Sequence, residues 1–256
     1  MKKHLKTLLV AMLLVPCILL FTACSSDELK ELQKQYDELQ KQLDDATKPQ
    51  TLYGDVNLDG KIDYDDCLWL IKHVEEEITL DAQALISADV DGDGEITYAD
   101  ANVIKYFVDG DLTSLDPKDF SIVWGDFNCD GVLDETDQTL FNEYFSTSGA
   151  PGITTQQYIN MDLLYHGLSR AVQGRVNGYF AGNQENILGE SLAYNPGTLS
   201  WNTGAHPNDK DVTALAKFLA GEETFYLDYI RNADINDDGK IDAVDLWLLM
   251  QMVDAG

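Results

Sequence analysis

The chain has 256 residues and a formal net charge of -28, from 45 Asp and Glu against 17 Lys and Arg. So acidic a surface repels polyanions, which argues against nucleic acid as a partner. A hydrophobic content of 45% with nine Phe, twelve Tyr and four Trp supports folded cores rather than general disorder. The acids fall in short clusters with Asn and Gly between them, and oxygen donors at fixed spacing point to a hard cation such as calcium.

At the N-terminus, Lys2, Lys3 and Lys6 precede an apolar run from Leu8 to Phe21 broken only by Pro16, and Thr22 and Ala23 place small residues before Cys24. Residues 1–23 resemble a bacterial lipoprotein signal, with Phe21 where Leu is usual. That resemblance implies lipidation of Cys24 and a tether on the extracellular face of the cell membrane. The run is short for a membrane span of roughly 20 residues. An ordinary secretory signal and an uncleaved anchor are the alternatives. With Cys17 and Cys24 so assigned, Cys67 and Cys129 remain, too few for a disulfide framework.

Residues 24–50 read as a charged helical stalk. Leu29, Leu32, Tyr36, Leu39 and Leu43 follow one another at steps of three and four, the a and d positions of about two heptads, and Pro49 ends the pattern. So short a seam is marginal alone. A solvated spacer and a self-associating coiled coil both fit it.

From Tyr53 the chain repeats a twelve-residue loop. In the first copy Asp55, Asn57, Asp59, Asp63 and Asp66 supply side-chain oxygens at positions 1, 3, 5, 9 and 12. Lys61 supplies a backbone carbonyl at position 7, and Gly60 sits at position 6, where the loop turns sharply. The second copy has Asp89, Asp91, Asp93, Gly94, Glu95, Thr97 and Asp100. A third has Asp126, Asn128, Asp130, Gly131, Val132, Asp134 and Asp137, and a fourth Asp234, Asn236, Asp238, Gly239, Lys240, Asp242 and Asp245. An inward-pointing apolar residue follows at position 8, as in Ile62 and Ile96. Four matches of this kind predict about four calcium ions per chain.

All four loops end in Asp, where a calcium-sensing EF-hand ends in Glu. With the openings Gly54-Asp55-Val56-Asn57 and Ala88-Asp89-Val90-Asp91, and a helix after each loop, residues 53–113 resemble the type I dockerin, the calcium-dependent module of cellulosomes. The resemblance implies an all-α fold of paired EF-hand-like loop-helix units with cohesin domains as partners. Recognition residues carried over from the family fall on Tyr64, Asp65, Ile71 and Lys72 in the first half and on Tyr98, Ala99, Lys105 and Tyr106 in the second. In the last repeat they fall on Ala243, Val244, Met250 and Gln251. These differ from the paired hydroxyl residues common in the family.

Two worn copies fill the gap between the third and fourth loops. Asp162 and Gly167 keep positions 1 and 6 of one, and Gln173 stands where its last acid would be. The other keeps only its helix, in which Ala214, Leu215, Phe218 and Leu219 follow Asp211 as Leu140, Phe141, Tyr144 and Phe145 follow Asp137. Half-repeats then start near 55, 89, 126, 162, 200 and 234, at intervals of 34 to 38 residues. This gives three dockerin-like pairs at 51–115, 116–185 and 186–256. A single dockerin plus a split one, with an insert over about 146–221, is the competing organisation.

No catalytic signature appears. His73, His166 and His206 are isolated, without His-Glu-x-x-His, a nucleophile elbow or a phosphate loop, so the chain is expected not to be an enzyme. Trp201 and Tyr194 offer at most a small sugar-stacking patch. The functional expectation is a lipid-anchored, calcium-dependent adaptor that recruits components of polysaccharide-degrading complexes. A calcium-stabilised envelope lipoprotein with no cohesin partner is the alternative.

Overall fold

The computed structural model describes residues 30, 33–38, 40, 52–146, 152–192, 194–199 and 206–255. The chain divides into two compact units, Met1–Gln50 and Thr51–Gly256. The predicted signal, Cys24 and most of the predicted stalk lie outside the described residues. Within the first unit residues 33–38 are helical, and Gln33 Nε2 donates to Asp37 Oδ1 at 2.8 Å, one turn along. Among the described residues no helix is long and apolar enough to cross a membrane.

The second unit is all-helical among its described residues: α1 (Tyr64–Val74), α2 (Ala82–Ala88), α3 (Tyr98–Val108), α4 (Glu135–Ser146), α5 (Thr155–Met161), α6 (Arg170–Phe180), α7 (Asp209–Leu219), α8 (Leu227–Ala233) and α9 (Ala243–Ala255). The helices that follow the loops start where the sequence supplies an N-cap. Asp63, Thr97 and Asn208 accept the N–H two residues on, while Asp66, Asp100 and Asp211 return a carboxylate to the N-cap N–H. These reciprocal bonds satisfy the first-turn donors that a helix otherwise leaves open.

Helix α1 packs on α3, α4 on α6, and α7 on α9. Between the members of each pair runs a seven-residue helix, α2, α5 or α8, and it ends at Asp89, Asp162 or Asp234. One hydrogen bond recurs in all three pairs. Gly54 N donates to Ser87 O at 2.8 Å, Gly125 N to Asn160 O at 2.7 Å, and Gly197 N to Asn232 O at 2.8 Å. These glycines have φ of +91°, +89° and +78°. A Cβ on Gly125 would lie 2.6 Å from Ile187 Cδ1, so both backbone and space require glycine there. The predicted inward residues Ile62 and Ile96 pack half-buried on the core.

Two apolar cores result. One is continuous from α1 and α3 to α7, α8 and α9, joining Leu68, Leu70, Ile71 and Ile104 with Leu215, Phe218, Ile230 and Leu249. The other belongs to α4, α5 and α6 and centres on Phe127, Phe141, Met161, Val172 and Val176. Helix α8 packs directly on α1 and α3. The segments 51–115 and 186–256 are thus joined through a common interior, while the segment between them keeps its own.

Phe141 is fully buried, with ring centroids 5.3 Å from Phe127 and 5.0 Å from Phe145. Replacing it by Ala deletes the centre of the smaller core, at a cost of about 3–5 kcal/mol. Hydrogen exchange of Phe141→Ala should show lost protection in α4 and α6 while α1 and α3 keep theirs. Uniform loss across all six loop-following helices would mean that the two cores unfold as one.

Candidate metal loops and docking faces

The four complete loops share one geometry. The position-12 carboxylate, fully buried in each, draws the loop shut. Asp66 accepts from Val56 N at 2.8 Å and Asp63 N at 2.9 Å, and Asp100 from Val90 N at 3.1 Å and Thr97 N at 2.9 Å. Asp137 accepts from Asn128 N at 3.1 Å and Asp134 N at 2.9 Å, and Asp245 from Ile235 N at 2.8 Å and Asp242 N at 2.9 Å. The first acid takes the position-6 glycine N–H, at 3.1 Å for Asp55, 3.4 Å for Asp89, 2.8 Å for Asp126 and 2.9 Å for Asp234. Asn57, Asp91, Asn128 and Asn236 accept from position 5, and the side chains of Asp59, Asp93, Asp130 and Asp238 accept from Lys61, Glu95, Val132 and Lys240 N–H. Position 4 takes positive φ in every loop, at Leu58, Gly92, Cys129 and Asp237. In the loop at 89–100 these turns gather the side-chain oxygens at one centre.

The donor set fits a hard divalent cation. Ligand oxygens of Asp89, Asp91 and Asp93 lie within 4.8 Å of one another. Asp55 Oδ1 is buried with no hydrogen-bond partner, an acceptor oriented for something other than protein. Burial pushes the Asp66 carboxyl up to about 7 and that of Asp100 to about 8, and it raises Asp91, with Asp93 adding to the effect. Desolvated acids gathered like this favour a bound cation over mutual repulsion. The position-9 residues Asp63, Thr97, Asp134 and Asp242 also serve as helix N-caps, each accepting an N–H from two residues on.

The worn loops keep the backbone and replace the ligands. In the first, Tyr165 and Gly167 hold the positive φ of positions 4 and 6, and Asp162 Oδ1 accepts from Gly167 N at 2.7 Å. Its other oxygen is taken by Tyr106 Oη at 2.7 Å and Asn102 Nδ2 at 3.1 Å. Ser169 caps α6, so this loop is one residue short and its twelfth position falls on buried Val172. The one-residue loss corrects the register expected from sequence, which put Gln173 there. In the second, Asp211 still accepts from Leu199 N at 2.8 Å, but across twelve residues where Asp66 and Val56 are separated by ten.

The predicted recognition residues of the first pair are covered from within the chain. Ile71, Lys72, Tyr98, Ala99, Lys105 and Tyr106 are buried, and Tyr64 and Asp65 half-buried. The Tyr64 ring lies 4.7 Å from that of Phe218, Asp65 Oδ1 accepts from Ile241 N, Lys72 Nζ reaches Asp237 O at 2.9 Å, and Tyr98 Oη lies 3.5 Å from Glu75. The expectation that these side chains project outward as a free docking face is therefore corrected. The α7–α9 pair and the Asp162 loop, which sequence reading left detached, occupy that face. In the last repeat Ala243, Val244, Met250 and Gln251 are all exposed. With Trp247 they form an open apolar strip on α9, at 48% exposure for Val244, 58% for Trp247 and 46% for Met250.

Of the remaining candidates, Trp201 lies outside the described residues, and the Tyr194 ring stacks over Arg231 at 4.1 Å. The Cys67 thiol is buried and pushed well above its ordinary value. His73 Nδ1 lies 3.3 Å from Ile78 O, and His206 is exposed. Sequence reading missed Arg231 and the three linking glycines. The recurrence of Gly immediately before position 1, at Gly54 and Gly125, was the available signal for the latter.

His166 stands at position 5 of a worn loop, with Nδ1 3.2 Å from Asp228 Oδ1. Burial pulls the imidazole down, but Asp228 outweighs it and raises His166 above its ordinary value. A raised histidine contributes stability fully below the unfolded value of about 6.5 and loses it as pH climbs through the folded one. Wild type should therefore lose stability relative to His166→Gln as pH rises from 6 to 8. Urea titrations at both pH values, in saturating calcium, read the difference. An equal pH response in both proteins would remove His166 from the account.

The family model of the Dockerin type I domain matches residues 53–116 and 208–254. These are the segments that carry α1 to α3 and α7 to α9. No curated protein matches the chain. The two matched segments are similar to type I dockerin domains, and the segment between them, with its loop at 126–137, lies outside the match.

Proposed function

We propose that the chain is a non-catalytic, calcium-dependent adaptor whose dockerin-like modules bind cohesin domains and recruit parts of a polysaccharide-degrading assembly. The observation that carries this reading is the closed loop geometry, repeated four times, in segments two of which match the dockerin family. The packing of α1 on α3, α4 on α6 and α7 on α9 supports three tandem modules, at 51–115, 116–185 and 186–256, with calcium in four of six loops. In the same proposal Cys24 carries the lipid, residues 24–50 space the modules from the extracellular face of the membrane, and the stalk offers a seam for self-association.

The docking face is placed on α9. Helix α9 presents Val244, Trp247 and Met250 to solvent, an aromatic-centred strip of the sort that concentrates binding energy. The residues of α1 and α3 that family resemblance would nominate are engaged inside the molecule.

That same engagement favours a second reading, in which the repeats pack against one another as a calcium-stabilised envelope lipoprotein and bind no cohesin. A panel of cohesins, with and without chelator, separates the two. Capture that needs calcium and weakens at least thirtyfold, about 2 kcal/mol, in Trp247→Ala with Met250→Ala supports the adaptor. Failure of every cohesin to bind the folded protein leaves the structural reading.

Metal removal gives an independent measure. Calcium at a hundredfold excess over its dissociation constant adds about 2.7 kcal/mol per site. Calorimetry should count about four ions and thermal unfolding should shift upward with calcium. Six ions would show that the two worn loops, before Gly167 and before Asp211, also bind, and none would remove calcium from the account.

A further inference from the structure

The loop at 234–245 differs from the other three in what touches its first acid. Lys72, near the end of α1, is buried with Nζ 3.2 Å from Asp234 Oδ2 and 2.9 Å from Asp237 O, and it also pairs with the Asp237 carboxylate. Arg231, only 1% exposed, reaches the same Asp237 at 3.3 Å and grips Glu75 at 2.9 Å and Glu77 at 2.8 Å just beyond α1. Trp69, one turn before Lys72, closes the arrangement, for a Cβ on Gly239 would lie 3.0 Å from its Nε1. Among the described residues, Asp55, Asp89 and Asp126 show no ion pair with Lys or Arg.

We infer that Lys72 is a built-in competitor for the cation of the loop at 234–245, holding Asp234 when the loop is metal-free and yielding it when a divalent ion binds. The inference rests on the reading of the loops as calcium sites. A calcium ion sits about 2.4 Å from each ligand oxygen. With the Lys72 ammonium already 3.2 Å from Asp234 Oδ2, the two cations would share one carboxylate in a partly buried setting, where like charges repel strongly. Loop 234–245 therefore binds calcium more weakly than the other complete loops. Filling it releases Lys72 and loosens the grip of α1 on the C-terminal helices. Calcium concentration then sets how firmly the matched segments are clasped, and with it the exposure of the face that carries Lys72.

Terbium luminescence in the full chain tests this, because two tryptophans report two loops. Trp69 lies on loop 234–245, and Trp124 Nε1 is 3.3 Å from Asp91 of loop 89–100. The phase lost in Trp69→Phe should fill at higher terbium than the phase lost in Trp124→Phe. Lys72→Met should move the Trp69 phase at least tenfold to lower terbium and leave the Trp124 phase in place, while Lys72→Arg keeps the wild-type midpoint. An unmoved Trp69 phase in folded Lys72→Met overturns the inference and leaves the calcium loops standing. No terbium or calcium binding at any loop overturns both. Acylation of Lys72 in the wild type, read by peptide mass spectrometry, needs no variant to fold. Labelling should rise several-fold at calcium saturation, and an unchanged rate would equally sink the competitor role.

Discussion

A carboxylate buried at the mouth of the helix after each complete loop is the constraint on which the rest depends. Asp66, Asp100, Asp137 and Asp245 are fully buried. Each holds its loop closed by accepting N–H groups from the loop's beginning and from the helix N-cap. One oxygen of each carboxylate therefore shuts the loop and the other accepts the N-cap N–H. Burying a charge is costly without a partner, and two of these acids are held far above the ordinary carboxylate range. A bound cation removes that cost, which is why folding and metal binding form a single equilibrium in such a unit.

A loop and its helix are too small to supply a core alone. An eleven-residue helix is about 16 Å long and buries one stripe against its partner. The first and third pairs go further and share an interior, with α8 laid on α1 and α3. The consequence reaches function. Side chains of α1 that a lone two-loop module would turn to solvent are spent on Phe218, Ile241 and Asp237, and the exposed apolar strip moves to the far end of the chain, on α9.

Much of the loop geometry was legible because the loops are local. Spacing of Asp, Asn and Gly over twelve residues fixes which backbone groups can be reached, and positions 1, 3, 5 and 12 accept the N–H groups that close each complete loop. Helix starts were readable for the same reason, since Asp63 and Asp66 advertise a capping box. What stayed hidden was long-range. Nothing near Lys72 in sequence announces Asp234, more than 160 residues away, and the burial of Tyr106 depends on Asp162 from a loop that had lost its other ligands. The register of that worn loop was misread by one residue because Val176, Tyr179 and Phe180 match Val103, Tyr106 and Phe107 when Gln173 is set on Asp100, whereas Gly182 and the Ser169 cap fit only the loop with one residue deleted.

The worn loops show how a metal site becomes a joint. Asp162 keeps its glycine N–H, but the lone pairs a cation would use are taken by Tyr106 and Asn102 of α3. His166, at a position where an acid would ligate, turns its Nδ1 toward Asp228. The buried acid at Asp162 is thus satisfied by neutral hydrogen-bond donors from α3 and from its own loop. At Asp211 the cap survives although the loop before it is two residues longer, so α7 starts without a full ligand set. The first replacement falls where the middle pair meets the first. Hydrogen bonds that need no metal thus tie the middle and last pairs to the first.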